Sequence, residues 1–250
     1  MTFLCYKSIV CIGYAAGVSA VIGTDMFQER QLNRSYIMCG RYYIDQEDTL
    51  SEMRQIIDAV NRRYQDSQVI KELRLGEISP GQIVPAVRLR RSEDSSVLIP
   101  ELVRWGFKKP QEKGLLINAR SETAAEKPTF RRPLRTARLL IPAHAFFEWR
   151  TDKSTNKKIK MKCYNPQSEM FYMAAIARQE PLSSPEDASD RVMRFVILTT
   201  QANESVHSIH DRMPLIIPGN HVRAFLEDES EAIRILSRPV DIMLSAVQAD

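Results

Sequence analysis

Apolar residues recur at helical spacing from Leu50 through Met53, Ile56, Ile57, Val60 and Tyr64, inside a charged stretch. That pattern predicts a helical face over 46–74. Beyond it the period changes. ISPGQIVPAVRLRR reads as a Pro/Gly turn followed by a strand, and ELVRWGF alternates as a half-buried strand does. KGLLINARSET passes from a short strand into a polar turn, and PTFRRPLRTAR predicts a basic helix. LLIPAHAFFEWR and KIKMKCYN predict strands, the second with strict alternation. MFYMAAIAR and RFVILTTQAN predict buried strands, residues 219–237 a helix, and PVDIMLSAV a last strand. Many strands of mixed length, with helices at irregular intervals, predict an α+β fold and not a doubly wound sheet. The chain has no internal repeat, and its one low-complexity stretch is the polar segment 179–191.

Composition changes this picture only at the N-terminus. The chain of 250 residues carries a net charge of +4, and without the first 38 residues it would carry +3. So weak a balance says nothing by itself about nucleic acid. The cysteines are Cys5, Cys11, Cys39 and Cys163, with no C-x-x-C and no histidine at zinc-finger spacing. Neither a metal site nor a disulfide framework is expected, and a reducing cytoplasm suits such usage. Residues 8–23 form an apolar run behind Lys7, too short and too broken by glycine for a membrane span. Three readings of residues 1–37 stand: a start assigned too early, a secretory signal, or a pro-segment. The segment Met38-Cys39-Gly40-Arg41 looks like a second beginning, because an initiator Met is removed before a small residue such as Cys.

Four segments place polar groups beside apolar strands: CGR at 39–41, INARSET at 117–123, FFEWR at 146–150 and IHDRMPLII at 209–217. Singly, each has a plain reading. Glu148 fits an edge-strand carboxylate, His210 a satisfied histidine, Asn118 a turn cap, and Arg120 and Arg212 partners of surface acids. The basic run Lys127, Arg131, Arg132, Arg135 and Arg138 fits a solvated helix face as well as a phosphate-binding one.

Together the segments are specific. M-C-G-R at 38–41, S-P-G at 79–81, W-G at 105–106, I-N-A-R-x-E-T at 117–123, P-A-x-x-F-x-E-W at 142–149 and I-H-D-R-M-P-L at 209–215 occur in that order. In these motifs the chain resembles the SRAP family, the SOS-response-associated peptidases also described as abasic-site-processing proteins. The resemblance spans roughly 38–247. It departs from the family's usual pattern at His144-Ala145, where Asp-Gly is common. The resemblance implies a single domain over 38–250 with a mostly antiparallel, curved, barrel-like sheet flanked by helices. It also implies that Cys39 is the mature first residue and that the partner is single-stranded DNA containing abasic sites. No cofactor and no membrane are implied, and a cytoplasmic monomer is expected.

In the implied chemistry the Cys39 α-amine, whose class titrates near ~8, forms a Schiff base with the abasic aldehyde. The thiol on the same residue then closes a thiazolidine ring. Glu148, between Phe147 and Trp149, is the expected proton carrier, with His210 a second acid/base and Asn118 an orienting group. Arg41, Arg120 and Arg212 would hold phosphates, and Pro80 and Trp149 would stack on or wedge between bases. Trp105 is expected in the core. Autoproteolysis and weak lyase activity at the abasic site are further expectations. The alternatives are a thiol peptidase acting on other proteins, which needs no free amine, and a non-catalytic single-strand-binding module.

Overall fold

The strands are β1 Arg41–Ile44, β2 Gly76–Ile78, β3 Ile83–Arg91, β4 Ser96–Trp105, β5 Phe107–Lys108, β6 Leu115–Leu116, β7 Asn118–Arg120 and β8 Arg138–Ala143. They continue as β9 Ala145–Thr151, β10 Lys158–Tyr164, β11 Phe171–Pro181, β12 Arg191–Gln201, β13 Arg212–Pro214, β14 Ile216–Ile217 and β15 Ser245–Gln248. The helices are α1 Glu52–Tyr64, α2 Ser121–Ala124, α3 Pro128–Thr136, α4 Glu204–His207, α5 Val222–Glu227 and α6 Glu229–Ser237. This computed structural model describes residues 39–46, 52–109, 112–181 and 191–250. The leader over 1–37 and most of the polar stretch 179–191 lie outside them. Residues Met38–Asp250 form a compact unit of their own.

Five strands close on themselves in the order β12-β4-β3-β8-β11 and back to β12. Their pairings are antiparallel except β12 with β4. A closed ring leaves no edge within itself, which suits the β-branched and aromatic composition of these strands. The α+β expectation with a barrel-like core therefore holds. Around the barrel, β7 adds parallel to β12, and β13 and β14 pair antiparallel with β12 and β11.

The second sheet, β15-β10-β9-β1-β2, is antiparallel throughout. LLIPAHAFFEWR is two strands of different sheets, split at His144. There the chain leaves the barrel, and His144 pins the corner. Its N–H donates to the Tyr43 carbonyl at 2.9 Å, and its Nδ1 accepts from the Asp45 N–H at 3.0 Å. Alternation puts Tyr42, Phe146 and Cys163, paired in register across β1, β9 and β10, on one face of this sheet. Glu148, opposite Met161, lies on the same face. All five side chains are buried.

Three sequence expectations are corrected in their extent. The pattern over 46–74 yields α1 only to Tyr64, because Ser67 caps a 3₁₀ turn at Gln68–Glu72 by accepting from the Val69 N–H. The helix over 219–237 breaks at Asp228, whose carboxylate accepts from the N–H groups of Ser230 and Glu231 and so starts α6. The final strand shrinks to Ser245–Gln248. Ahead of it, the Asn203 amide donates to the Ile242 carbonyl and Ser205 Oγ accepts the Leu244 N–H, replacing a strand partner. INARSET likewise ends in helix α2, not a turn. Arg138 leaves the basic-face reading as well. It is buried, and its guanidinium donates to the carbonyls of Leu134, Phe225 and Leu226, closing the ends of α3 and α5.

Candidate active site

Cys39 stands two residues ahead of β1 and has φ of 40°, in the left-handed region that residues with a Cβ avoid. It is fully buried. Its backbone nitrogen donates to Glu148 Oε1 at 2.5 Å. Glu148 reaches this point because alternation along β9 puts Phe146 and Glu148 on one face of the sheet and Phe147 and Trp149 on the other. Only 2% of Glu148 is exposed. Burial drives its carboxyl up to about 7, although the N–H groups of Cys39 and Trp149 pull it down; Asp211 adds to the rise. The Cys39 thiol is pushed well above its ordinary range by burial, then by Glu148, then by Cys163. Cys163 itself is raised to about 12 by burial and Glu148.

The IHDR segment connects α4 to β13. His210 Nδ1 accepts from the Arg212 N–H at 3.0 Å and lies 2.8 Å from Asp211 Oδ1. One nitrogen cannot serve both. The neutral ring accepts from Arg212 with its proton on Nε2, whereas the charged ring donates from Nδ1 to Asp211.

Arg212 is buried. Its guanidinium grips both oxygens of Glu122 at 2.5 and 2.8 Å and donates to the Thr199 carbonyl at 2.6 Å. Burial pushes Glu122 up, but Arg212 outweighs it and holds the carboxyl below the usual range. This fork ties the IHDR segment to the INARSET segment, and any phosphate at Arg212 would share it with Glu122. Arg120, at the end of β7, is exposed. With Gln201, Ala202, His207, Asp211 and Arg212 it lines an open cleft of about 390 Å³. Asn118 is on the same strand, half-buried beside Ile197. The carbonyl before it, of Ile117, accepts from the Trp105 indole N–H at 3.0 Å. Trp105 is fully buried, as expected.

The remaining candidates lie on other surfaces. Arg41 is exposed and paired with Glu77 at 2.7 Å, on the sheet face opposite Tyr42. Trp149 is half-buried on that face, in register with Lys160. Pro80 occupies the turn between β2 and β3, where Gly81 has φ of 91° and its N–H donates to the Trp105 carbonyl. Direct contact therefore joins Cys39 to Glu148, and electrostatics joins Glu148 to Asp211 at the cleft. Sequence reasoning missed Asp211, His207, Glu122 and Tyr42. Asp211 and Glu122 stand inside the linked motifs, whereas Tyr42 and His207 carry no motif signal.

The residues 38–249 match the family model described as SOS response associated peptidase (SRAP). Abasic site processing protein YoqW of Bacillus subtilis (strain 168) is 32% identical over 216 residues, covering 82% of this chain and 88% of that one. Abasic site processing protein YedK of Escherichia coli (strain K12) is 30% identical over 195 residues, covering 77% and 81%. A crystal structure of a Bacteroides thetaiotaomicron protein superposes with a TM-score of 0.62 at 22% identity, over 85% of this chain and 92% of that one, a likeness of fold. With a family model spanning nearly all of the residues after 37, the chain belongs to the SOS response associated peptidase (SRAP) family.

Proposed function

We propose that the chain, once it begins at Cys39, captures abasic sites in single-stranded DNA as a covalent thiazolidine adduct. The observation that carries this is the 2.5 Å contact between the Cys39 nitrogen and the buried Glu148 carboxyl. A group that ionises near 7 exchanges protons with an amine at neutral pH in both directions. It takes a proton from the amine so that the nitrogen attacks the aldehyde, and it returns one as water leaves. The Cys39 sulfur then adds to the imine carbon. Arg120 in the cleft and Arg41 on the second sheet supply phosphate contacts, and Trp149 and Pro80 supply surfaces for bases. His210 assists ring opening of the sugar or reversal of the adduct, and Asn118 orients the sugar. The names of the relatives YoqW and YedK support abasic DNA as the target and a role in the response to DNA damage. The working form is a cytoplasmic monomer without a cofactor.

The same contact favours a second activity. The Cys39 nitrogen is here the leaving nitrogen of the 38–39 peptide bond, and a carboxyl still protonated near pH 7 can protonate it. In this self-cleavage the Cys39 sulfur would take the residue-38 acyl group as a thioester, its thiol proton passing to Glu148 as the nitrogen leaves with the proton Glu148 gives, and water would then hydrolyse the thioester to free both thiol and amine. Weak lyase action follows from the Schiff base.

One experiment tests the main reading. Chains starting at Met38 and at Met1 are incubated with a single strand bearing an abasic site, and intact mass defines each N-terminus. A heat-stable adduct whose yield tracks the fraction beginning at Cys39 is expected. An equal yield from chains that retain residue 38 would overturn the amine mechanism.

A further inference from the structure

The basic run that begins at Lys127 has no part in the chemistry above. Its helix, α3, turns Phe130, Pro133 and Leu134 to the core and leaves Arg131, Arg132 and Arg135 exposed, with no acid in its length. Two clefts meet beside the end of this helix, sharing Thr136, Ala137 and Met193. One, of about 490 Å³, is lined by Arg132, Arg178 and Arg191 around Pro133 and Ala177. The other, of about 450 Å³, is lined by Arg88, Arg91, Arg135 and Arg138 around Leu89, Leu139 and Leu226. Among the described residues no carboxylate lines either cleft. Arg88, Arg135 and Arg178 are matched by Glu101, Glu229 and Glu180 behind them. Arg91 and Arg191 donate instead to the carbonyls of Glu227 and Gln179, and Arg132 has no ion pair among the described residues. Arg138 is spent on the ends of α3 and α5 and shapes the floor. The place is remote from the reaction cleft: Met193 is near the start of β12 and Gln201, which lines the cleft of Arg120, is its last residue. At ~3.3 Å per residue the strand carries about 26 Å between them.

We propose that the joined clefts beside α3 are a second single-strand site, which holds phosphates and bases of the DNA at a distance from the nucleotide captured at Cys39. The proposal takes its substrate class from the reading above and does not depend on the adduct chemistry. Arg91 on β3, Arg132 on α3 and Arg191 on β12 bring positive charge from three separate elements with no carboxylate to neutralise it. A single small anion would need these forks to converge on one point. Spread along two adjoining clefts, they suit a chain of anions, and a planar fork suits phosphate oxygens. The apolar floor of Pro133, Ala177, Leu89, Leu139 and Leu226 gives bases a dry surface, which a purely acidic peptide would not use. Concave walls meet a single backbone from more than one side, whereas a duplex presents its phosphates on a convex surface. A stacked strand, at ~3.4 Å per nucleotide, spans the distance to the reaction cleft with about eight nucleotides.

The test combines Arg91→Gln, Arg132→Gln and Arg191→Gln in the full chain. Anisotropy reads the binding of an undamaged single strand of about 25 nucleotides against salt, long enough at ~3.4 Å per nucleotide to join both sites. The slope of log affinity against log salt should fall by about 2, at ~0.7 for each phosphate partner lost. Arg91→Lys, Arg132→Lys and Arg191→Lys together keep the charge and should keep the slope, which separates lost contacts from a damaged fold. Adduct formation is read on abasic strands of about 25 and about five nucleotides, the second too short to reach from Cys39 to α3. Below saturation the Gln variant should react more slowly than the parent chain with the long strand and equally fast with the short one. An unchanged slope overturns the proposal, as does equal slowing on both abasic strands. So does a larger loss of slope on a duplex of the same length, or a polyglutamate peptide that competes as well as the strand. If the parent chain forms no adduct on any strand while the slope still falls as stated, the adduct reading fails and the second site stands.

Discussion

At the scale of residues, Glu148 behaves opposite to an ordinary carboxylate. Its folded value near 7 exceeds the ~4.3 of an unfolded glutamate, because burial disfavours the charge. Below about pH 4 both states hold the proton and nothing is lost. Between about pH 4.5 and 7 the unfolded chain releases the proton and the folded one keeps it, so stability falls as pH rises. Above 7 the loss is complete, on the order of 3 kcal/mol. Glu148→Gln keeps the acceptor for Cys39 and removes the titration. Thermal melts should show the variant gaining on the parent chain from about pH 4.5 to 7 and then holding a constant lead. A difference independent of pH would mean that Glu148 titrates normally. In cross-linking, the same variant should slow adduct formation by ~10²–10⁴-fold, the usual range for a lost acid–base group.

At the scale of elements, turns decide more than strands. Gly106 has φ of 100° between β4 and β5, and a Cβ there would lie 2.9 Å from Leu115 side-chain atoms. Gly106→Ala combines left-handed strain with overpacking and should cost about 2–4 kcal/mol in denaturant unfolding. A loss under about 0.5 kcal/mol, the range of an ordinary surface change, would show that the β5–β6 ribbon yields freely. The strands themselves were legible because residues 171–177 and 195–198 are continuous apolar runs, and KIKMKCY alternates. The split of LLIPAHAFFEWR was not legible, since a single residue between two apolar runs leaves no turn signal and the corner is made by His144 bonds from elsewhere. Asp228 and Ser67 are ordinary caps whose signals were diluted by the apolar pattern around them. Within the site, Cys39, Glu148 and the IHDR and INAR segments were readable as motifs. The engagement of Arg212 by Glu122 was not, because pairing across distant elements needs the fold.

At the scale of the whole molecule, charge is local. Candidate phosphate ligands are already matched, as in Arg41 with Glu77 and Arg212 with Glu122. A net charge of +4 over 250 residues adds little steering beyond them. Binding to an intact single strand should therefore depend on few phosphate contacts and fall with salt in proportion to them. Removing one such phosphate partner lowers the slope of log affinity against log salt by about 0.7. Arg120→Gln, at the exposed rim of the cleft, should lower that slope by about this amount. Arg212→Gln should lower Tm first, because it strands Glu122 and the Thr199 carbonyl. Equal slopes for Arg120→Gln and the parent chain would remove the cleft from the DNA path.

One feature of the chain has meaning only while residue 38 is attached. The left-handed angle at Cys39 is a rotation about its N–Cα bond, defined by the carbonyl carbon that precedes it. Such a residue holds roughly 1–2 kcal/mol of strain. Removing residue 38 abolishes the torsion itself, so nothing remains to relax. On the proposed start at Cys39, the longer chain carries this cost and the shorter one does not. On that start, losing residue 38 acts like drawing a pin: the nitrogen changes from a planar amide into a pyramidal base beside the Glu148 carboxyl.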